Sequence, residues 1–426
     1  MRTFVVKIKA AVLILALMLV AGRAGAATLR IACGSAGVDQ DICRVSANVW
    51  AEKTGNQIEF VNMPNDASET LTLYRQLLNS GSDQIDVMQI DAVWPGIFAN
   101  QLIDLRPYSK GQEHQSFPSL VANDTVNGRL VAMPWFIDTG LLFYRKDLLE
   151  KYHLNVPTTW DELDAYASRI QRAERASGNE KMWGFVWQGR AYEGLSCDAL
   201  EWISSYNGGD VIDDRGQVTV DNPAAARALD LAAKWVGSIT PRAVLNYGEE
   251  DARGVFQAGN AVFMRNWPYV WSIANRSDSP VRGRVGIASL PKGGADGKSV
   301  GALGGWQLAV SRYSRNPKLA ANLVMYLTSA EVQRKRAIQA SFNPTIPSLY
   351  SDKGVRQANP YMVSLLPTLN AAVARPSAVT GSEYSEVSAQ FWNAAHEVLA
   401  GHDHAANALA KLSVSLKRLA PNGVWQ

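Results

Sequence analysis

Over the first ninety positions, short apolar-rich runs alternate with longer segments whose apolar residues recur at helical spacing. ATLRIAC (27–33), QIEFVNM (57–63) and QIDVMQID (84–91) read as strands, with a helix after the first and helical ASETLTLYRQLLNS after the second. Strands alternating with helices at this spacing predict a parallel sheet covered on both faces. Ligands of such sheets lie beyond the carboxyl ends of strands. Asp91 falls at such an end, and Asp39 falls in the loop after the first strand.

Further on, MPWFIDTGLLFYRKDLLEKY (133–152) runs from one strand through Asp138 and Gly140 into a second apolar run and a helix. PTTWDELDAYASRIQRA opens with Thr159 and, three residues on, Glu162, the signature of a capping box. GRVGIASLPKGG and LGGWQLAVS return to strand character. The helix that follows starts at Pro317, with Ala320, Leu323, Val324 and Leu327 on one face. Thr328 and Glu331 form a second capping box, so one helix is expected to end there and another to begin. After SFNPTIPSLY the pattern is mostly helical, without internal repeats. The two blocks of strand character lie far apart, which predicts two lobes that the chain crosses more than once.

Composition changes the picture at the amino terminus. MRTFVVKIKA is basic, AVLILALMLVAG is apolar and Ala24–Ala26 are small, the layout of a secretory signal cut after Ala26 or Ala27. The formal charge of the whole chain is +3; Arg2, Lys7, Lys9 and Arg23 carry four positive charges with no acid, so removing the segment leaves 3 − 4 = −1. No nucleic-acid or anionic-membrane partner is implied. A lipid anchor is not expected at Cys33, because Arg30 occupies a position that a lipoprotein signal gives to an aliphatic residue. Cys33 and Cys43 are close enough to pair in an oxidising compartment, or to stay apart; Cys197 reads as a buried thiol.

Candidate chemistry narrows the class. The five histidines, His114, His153, His396, His402 and His404, form no metal pattern, and GHDH reads as a solvated turn between helices. Nucleophile-elbow, phosphate-loop and dinucleotide motifs are missing, and no cofactor is expected. Asp91 and Asp138 could be the acid and base of a glycoside hydrolase, or could accept hydrogen bonds from a bound sugar. FMRNWPYVWSIAN (263–275) favours the second reading. Trp267 precedes Pro268 and so tends to an extended conformation at a strand-to-helix junction. There its ring can stack on the apolar face of a sugar while polar neighbours such as Arg265 and Asn266 hold the rim. Trp271 reads as core. Thirteen tryptophans, and the stretches GFVWQGRAYEGL and LGGW, again join rings to polar or glycine neighbours.

Five stretches carry a family resemblance: MPWFIDTGLLFYRKDLLEKY, WGFVWQGRAYEGLSCDALEW, FMRNWPYVW, LGGWQLAVS and ARP (374–376). Spread over most of the chain, they make it similar to maltose-binding-like solute-binding proteins of ABC importers, nearest to the trehalose/maltose subgroup. The resemblance implies a two-lobed α/β fold of the type II periplasmic-binding-protein kind, with three interlobe crossings near 137–141, 285–288 and 327–331. The expected division is a signal at 1–26, a first lobe at 27–138 and 287–328, and a second at 139–286 and 329–426. It further implies a periplasmic monomer that closes on an α-linked disaccharide, trehalose first, then maltose or sucrose. The loaded protein would pass it to a permease heterodimer with a cytoplasmic ATPase. Service to a chemotaxis receptor is the alternative within binding proteins. Carried over position by position, sugar contacts fall on Asp39, Asp91, Asp138, Trp267, Tyr269, Gly305, Trp306 and Arg375. Two further positions depart from the subgroup: Phe136 stands where a tyrosine can occur, and Thr70 where an arginine can contact sugar. Asp39 likewise replaces a glutamate.

Overall fold

The computed structural model describes residues 26–34, 37–420 and 425. Apart from Ala26, the expected signal segment lies outside the described residues. Two sheets organise the chain. The first contains β1 (Thr28–Ala32), β2 (Gln57–Phe60), β3 (Val87–Asp91), β6 (Met133–Thr139) and β11 (Leu303–Val310), in the order β2-β1-β3-β11-β6. β1 is parallel to β2 and β3, whereas β11 runs antiparallel between β3 and β6. The second contains β7 (Leu141–Arg145), β8 (Trp183–Val186), β9 (Ala261–Asn266) and β10 (Val285–Ser289), in the order β10-β7-β9-β8. A short hairpin joins β4 (Thr125–Val126) to β5 (Arg129–Leu130).

Each lobe has its own apolar core. In the first, Ala320, Leu323, Val324 and Leu327, the predicted face of helix Pro317–Leu327, are inaccessible and pack with Leu29, Ile31 and Val87. In the second, Trp160, Phe185, Trp202 and Trp235 interlock with the helices Tyr384–Leu399 and Ala405–Leu419. Burial on this scale stabilises a large aromatic side chain by roughly 2–3 kcal/mol each. Thr159 caps its helix as predicted, its hydroxyl accepting from the Glu162 amide at 3.1 Å. The second cap is displaced by one residue. Ser329 caps helix Ala330–Ala340, because the Thr328 hydroxyl turns back to donate to the Val324 carbonyl at 2.9 Å. Cys33 and Cys43 are joined by a disulfide, and Cys197 is a buried free thiol.

The chain passes between the sheets first at Gly140, the single residue separating β6 from β7. The return passage occupies 290–302 and not 285–288, because Val285–Ser289 pairs with β7 along its full length. A lobe boundary at 287 would cut this strand. The last passage is less abrupt. Helix Ala330–Ala340 touches helix Gly37–Thr54 of the first lobe and Val270–Ala274 of the second. The final two helices pack on second-lobe helices Glu193–Ser205 and Pro223–Trp235.

Candidate functional site

The candidate residues gather where the two sheets face each other, around the amino-terminal half of β11. Trp306 stands opposite Asp91 on β3 and Phe136 on β6, and Gly304 stands opposite Asp138. Two glycines let this strand be approached closely. A Cβ on Gly304 would lie 2.9 Å from the ring of Trp267, which reaches across from the end of β9. Gly305 adopts φ +124°, and a Cβ there would meet the Phe136 carbonyl oxygen at 2.5 Å. Its own carbonyl accepts from the Ala92 amide at 3.1 Å, next to a register shift after Trp306.

Asp91 and Arg375 meet directly. The guanidinium donates to Asp91 at 2.8 Å and, from its other terminal nitrogen, to Glu193 of the second lobe at 2.7 Å. Glu193 also accepts from the hydroxyls of Tyr384 and Ser388. Asp39 sits in the first turn of helix Gly37–Thr54 and not in a loop. It accepts from Gln89 at 3.2 Å and from Arg336 at 3.0 Å. Asp138 is buried, and its Oδ1 has no partner among the described residues. Burial, aided by the charge of Asp39, pushes its carboxyl up to about 7 against the pull of Arg336 and Arg265. Thr70, Gln89, Cys33, Gly34 and Trp306 line a small cavity of about 30 Å³. The Thr70 hydroxyl is occupied by the Pro64 carbonyl at 3.2 Å.

Other candidates are placed differently. Phe136 is buried against Phe342 at 4.5 Å between ring centroids, and Tyr269 donates to Glu250 at 2.6 Å. Arg265 and Asn266, read as rim residues, lie behind Trp267. The Arg265 guanidinium is 4.0 Å from the Trp267 ring and is held by buried Asp198 at 2.9 Å, by Gln188 at 3.0 Å and by Glu201. Asn266 caps the Trp267 amide at 2.8 Å. These polar neighbours brace the ring. Tryptophan abundance also has a plainer explanation, since Trp94, Trp135, Trp160, Trp187, Trp202 and Trp235 are all core. GHDH is the helix–helix turn expected. Gln89, Glu193 and Arg336 were not singled out. Glu193 lies inside a stretch that carried the resemblance, whereas Gln89 and Arg336 had no local signal.

The lobes touch beside this cluster. Arg190 donates to Asp66 at 2.7 Å, the Glu193 amide to the Ser68 hydroxyl at 3.3 Å, and Arg75 to Ser385 at 2.6 Å. Two α/β lobes, crossed by the chain three times and facing each other over polar and aromatic groups, define the type II solute-binding architecture. Residues 44–334 match the family described as bacterial extracellular solute-binding protein. A probable ABC transporter-binding protein of Deinococcus radiodurans is 48% identical over 407 residues, 95% of this chain and 96% of its own. The maltose-bound MalE3 structure of T. maritima shares 38% identity at a TM-score of 0.87, covering 93% of this chain and all of that one. The GacH receptor of Streptomyces glaucescens, solved unliganded and with acarbose, shares 25% identity at 0.82, over 93% and 98% of the two chains.

The chain belongs to the bacterial extracellular solute-binding proteins, the maltose-binding-like solute receptors of ABC importers. Its task is capture and delivery, and the hydrolase reading of Asp91 and Asp138 is set aside. Among the described residues no helix is long and apolar enough to cross a membrane.

Proposed function

We propose that the protein captures an α-linked disaccharide in the periplasm and presents it to an ABC permease heterodimer powered by a cytoplasmic ATPase. The observation that carries this reading is the convergence of Trp306, Asp91 and Asp138 from one lobe with Trp267 from the other around the glycines of β11. Indole faces match the apolar faces of two sugar rings, and carboxylates accept strong hydrogen bonds from hydroxyls in a desolvated cleft. The names of the relatives agree with the class, one being maltose-bound and another complexed with acarbose. Trehalose stands first on the sequence resemblance, with maltose its direct competitor and sucrose third. A disaccharide lying between Trp267 of one lobe and the carboxylates of the other completes its contacts to both lobes on closure.

Isothermal calorimetry of the purified mature monomer against trehalose, maltose, sucrose and glucose tests the reading. Tight, one-to-one binding of a disaccharide is expected, with the sugar recovered intact. A clear preference for a monosaccharide, a polyamine or iron overturns it.

A further inference from the structure

Arg336 projects from helix Ala330–Ala340, the element touching both lobes, and is 1% exposed. Its guanidinium carbon lies 3.7 Å from the ring of Trp135, 4.6 Å from Phe342 and 4.8 Å from Phe136. These buried rings leave the planar group little freedom. One nitrogen, Nη2, donates to Asp39 at 3.0 Å, while Nε and Nη1 have no partner among the described residues. Asp39 is also held from its other oxygen by Gln89 at 3.2 Å, so the plane of its carboxylate is fixed by two donors.

We propose that Arg336 is a positioning residue of the ligand cleft: it fixes the Asp39 carboxylate as an acceptor and so selects neutral, hydroxyl-donating ligands over anionic ones. The inference rests on the sugar-binding reading above. Arg336 and Asp39 are a buried and a part-buried charge, and Asp138, whose Oδ1 is also unpartnered, lies within their electrostatic reach. One guanidinium faces two carboxyl groups, and the nearby Arg265 is already engaged by Asp198 and Glu201. An added anion would thus compete with Asp39 for the one guanidinium, whereas ligand hydroxyls can donate to the carboxylate that Arg336 holds in place. A packing-only role for Arg336 would predict loss of stability without loss of affinity.

A double-mutant cycle separates these roles. Wild type, Asp39→Asn, Arg336→Met and the double variant are compared by calorimetry with trehalose and maltose, and by thermal melting. Each single substitution is expected to weaken the preferred sugar by roughly 10- to 100-fold, the scale of one charge-assisted hydrogen bond. The double variant should be no weaker than the worse single one, because Arg336 acts through Asp39. Arg336→Lys keeps the charge without the fork and should fall between; it replaces Arg336→Met in the cycle if that variant does not fold. Losses that multiply, or a melting shift with wild-type affinity in the folded fraction, overturn the positioning role while leaving sugar binding intact. A wild type that binds glucose 6-phosphate as tightly as its preferred sugar overturns the selection against anions. Failure of the wild type to bind any disaccharide overturns both readings.

Discussion

Three neighbouring groups hold the Trp267 ring in place. The Arg265 guanidinium supports it at 4.0 Å, Asn266 caps its amide, and its indole N–H reaches Glu249 at 3.3 Å. Trp306 is held edge-on by Trp94 at 5.6 Å. Substituting either ring by alanine should weaken disaccharide binding by about 1–3 kcal/mol, the scale of losing a buried aromatic contact. Calorimetry on both variants checks this, and negligible losses for both would remove the stacking platform. Asp138 yields a pH dependence. Its carboxyl titrates near 7 in the fold against an ordinary 3.8, so folding favours the protonated form. The native state therefore loses stability as pH rises from about 4 to 7, with the full cost present above that range. Asp138→Asn mimics the protonated carboxyl, so without ligand its melting temperature should gain on the wild type between pH 5 and pH 8. A pH-independent difference would contradict the assignment. At this scale the sequence was legible for residue type more than for placement. Asp39, Asp91, Asp138 and Trp267 do cluster, but Arg265 and Asn266 turned out to be buried bracing. Arg336, on a helix of mostly polar residues, sits in an aromatic cage. A polar side chain carries no mark of its own burial; the partners that make burial tolerable, such as Asp198 and Glu201 for Arg265, lie more than sixty positions away.

Local periodicity located the elements well, because it depends only on neighbours in sequence. Thr28–Ala32, Gln57–Phe60 and Val87–Asp91 appear within the predicted stretches, and helix Pro317–Leu327 buries its predicted face. Sheet neighbours were another matter. β11 inserts antiparallel between β3 and β6, more than 160 positions upstream, and nothing in its own pattern announces that pairing. The same distance effect hid the end of β10, which pairing with β7 extends to Ser289. β11 also concentrates the structural cost of the site. Gly305 takes a backbone conformation that side chains avoid and leaves no room for a Cβ beside the Phe136 carbonyl. Gly305→Ala should therefore destabilise the protein by about 1–3 kcal/mol and lower sugar affinity as Trp306 shifts with the strand. Chemical denaturation and calorimetry on the same preparation check the two effects. Unchanged stability would mean that the bulge relaxes freely.

Across the whole molecule, closure is supported by contacts outside the candidate sugar residues. Arg190–Asp66, the Glu193 amide on Ser68 and Arg75–Ser385 each join one lobe to the other. Arg375 adds a bridge from Asp91 to Glu193. Such contacts bias the open–closed equilibrium before any ligand contributes, and apparent affinity scales with the population able to complete the site. Arg190 retains 40% side-chain exposure, so solvent screening limits its pair with Asp66 to about 1 kcal/mol or less, a factor of at most roughly five in affinity. Arg190→Ala should consequently weaken every bound disaccharide by the same small factor, without altering their ranking. That factor should shrink as salt is raised, because an exposed pair is screened. Small-angle scattering supplies the structural half of the test. The radius of gyration should fall when the wild type is saturated with disaccharide, and ligand-free Arg190→Ala should be at least as expanded as ligand-free wild type. An unchanged wild-type radius with binding confirmed in the same sample would rule out closure on capture. A selective loss for one sugar would instead place Arg190 at the ligand, and an unaltered affinity at low salt would show that the Arg190–Asp66 contact does not bias the lobes.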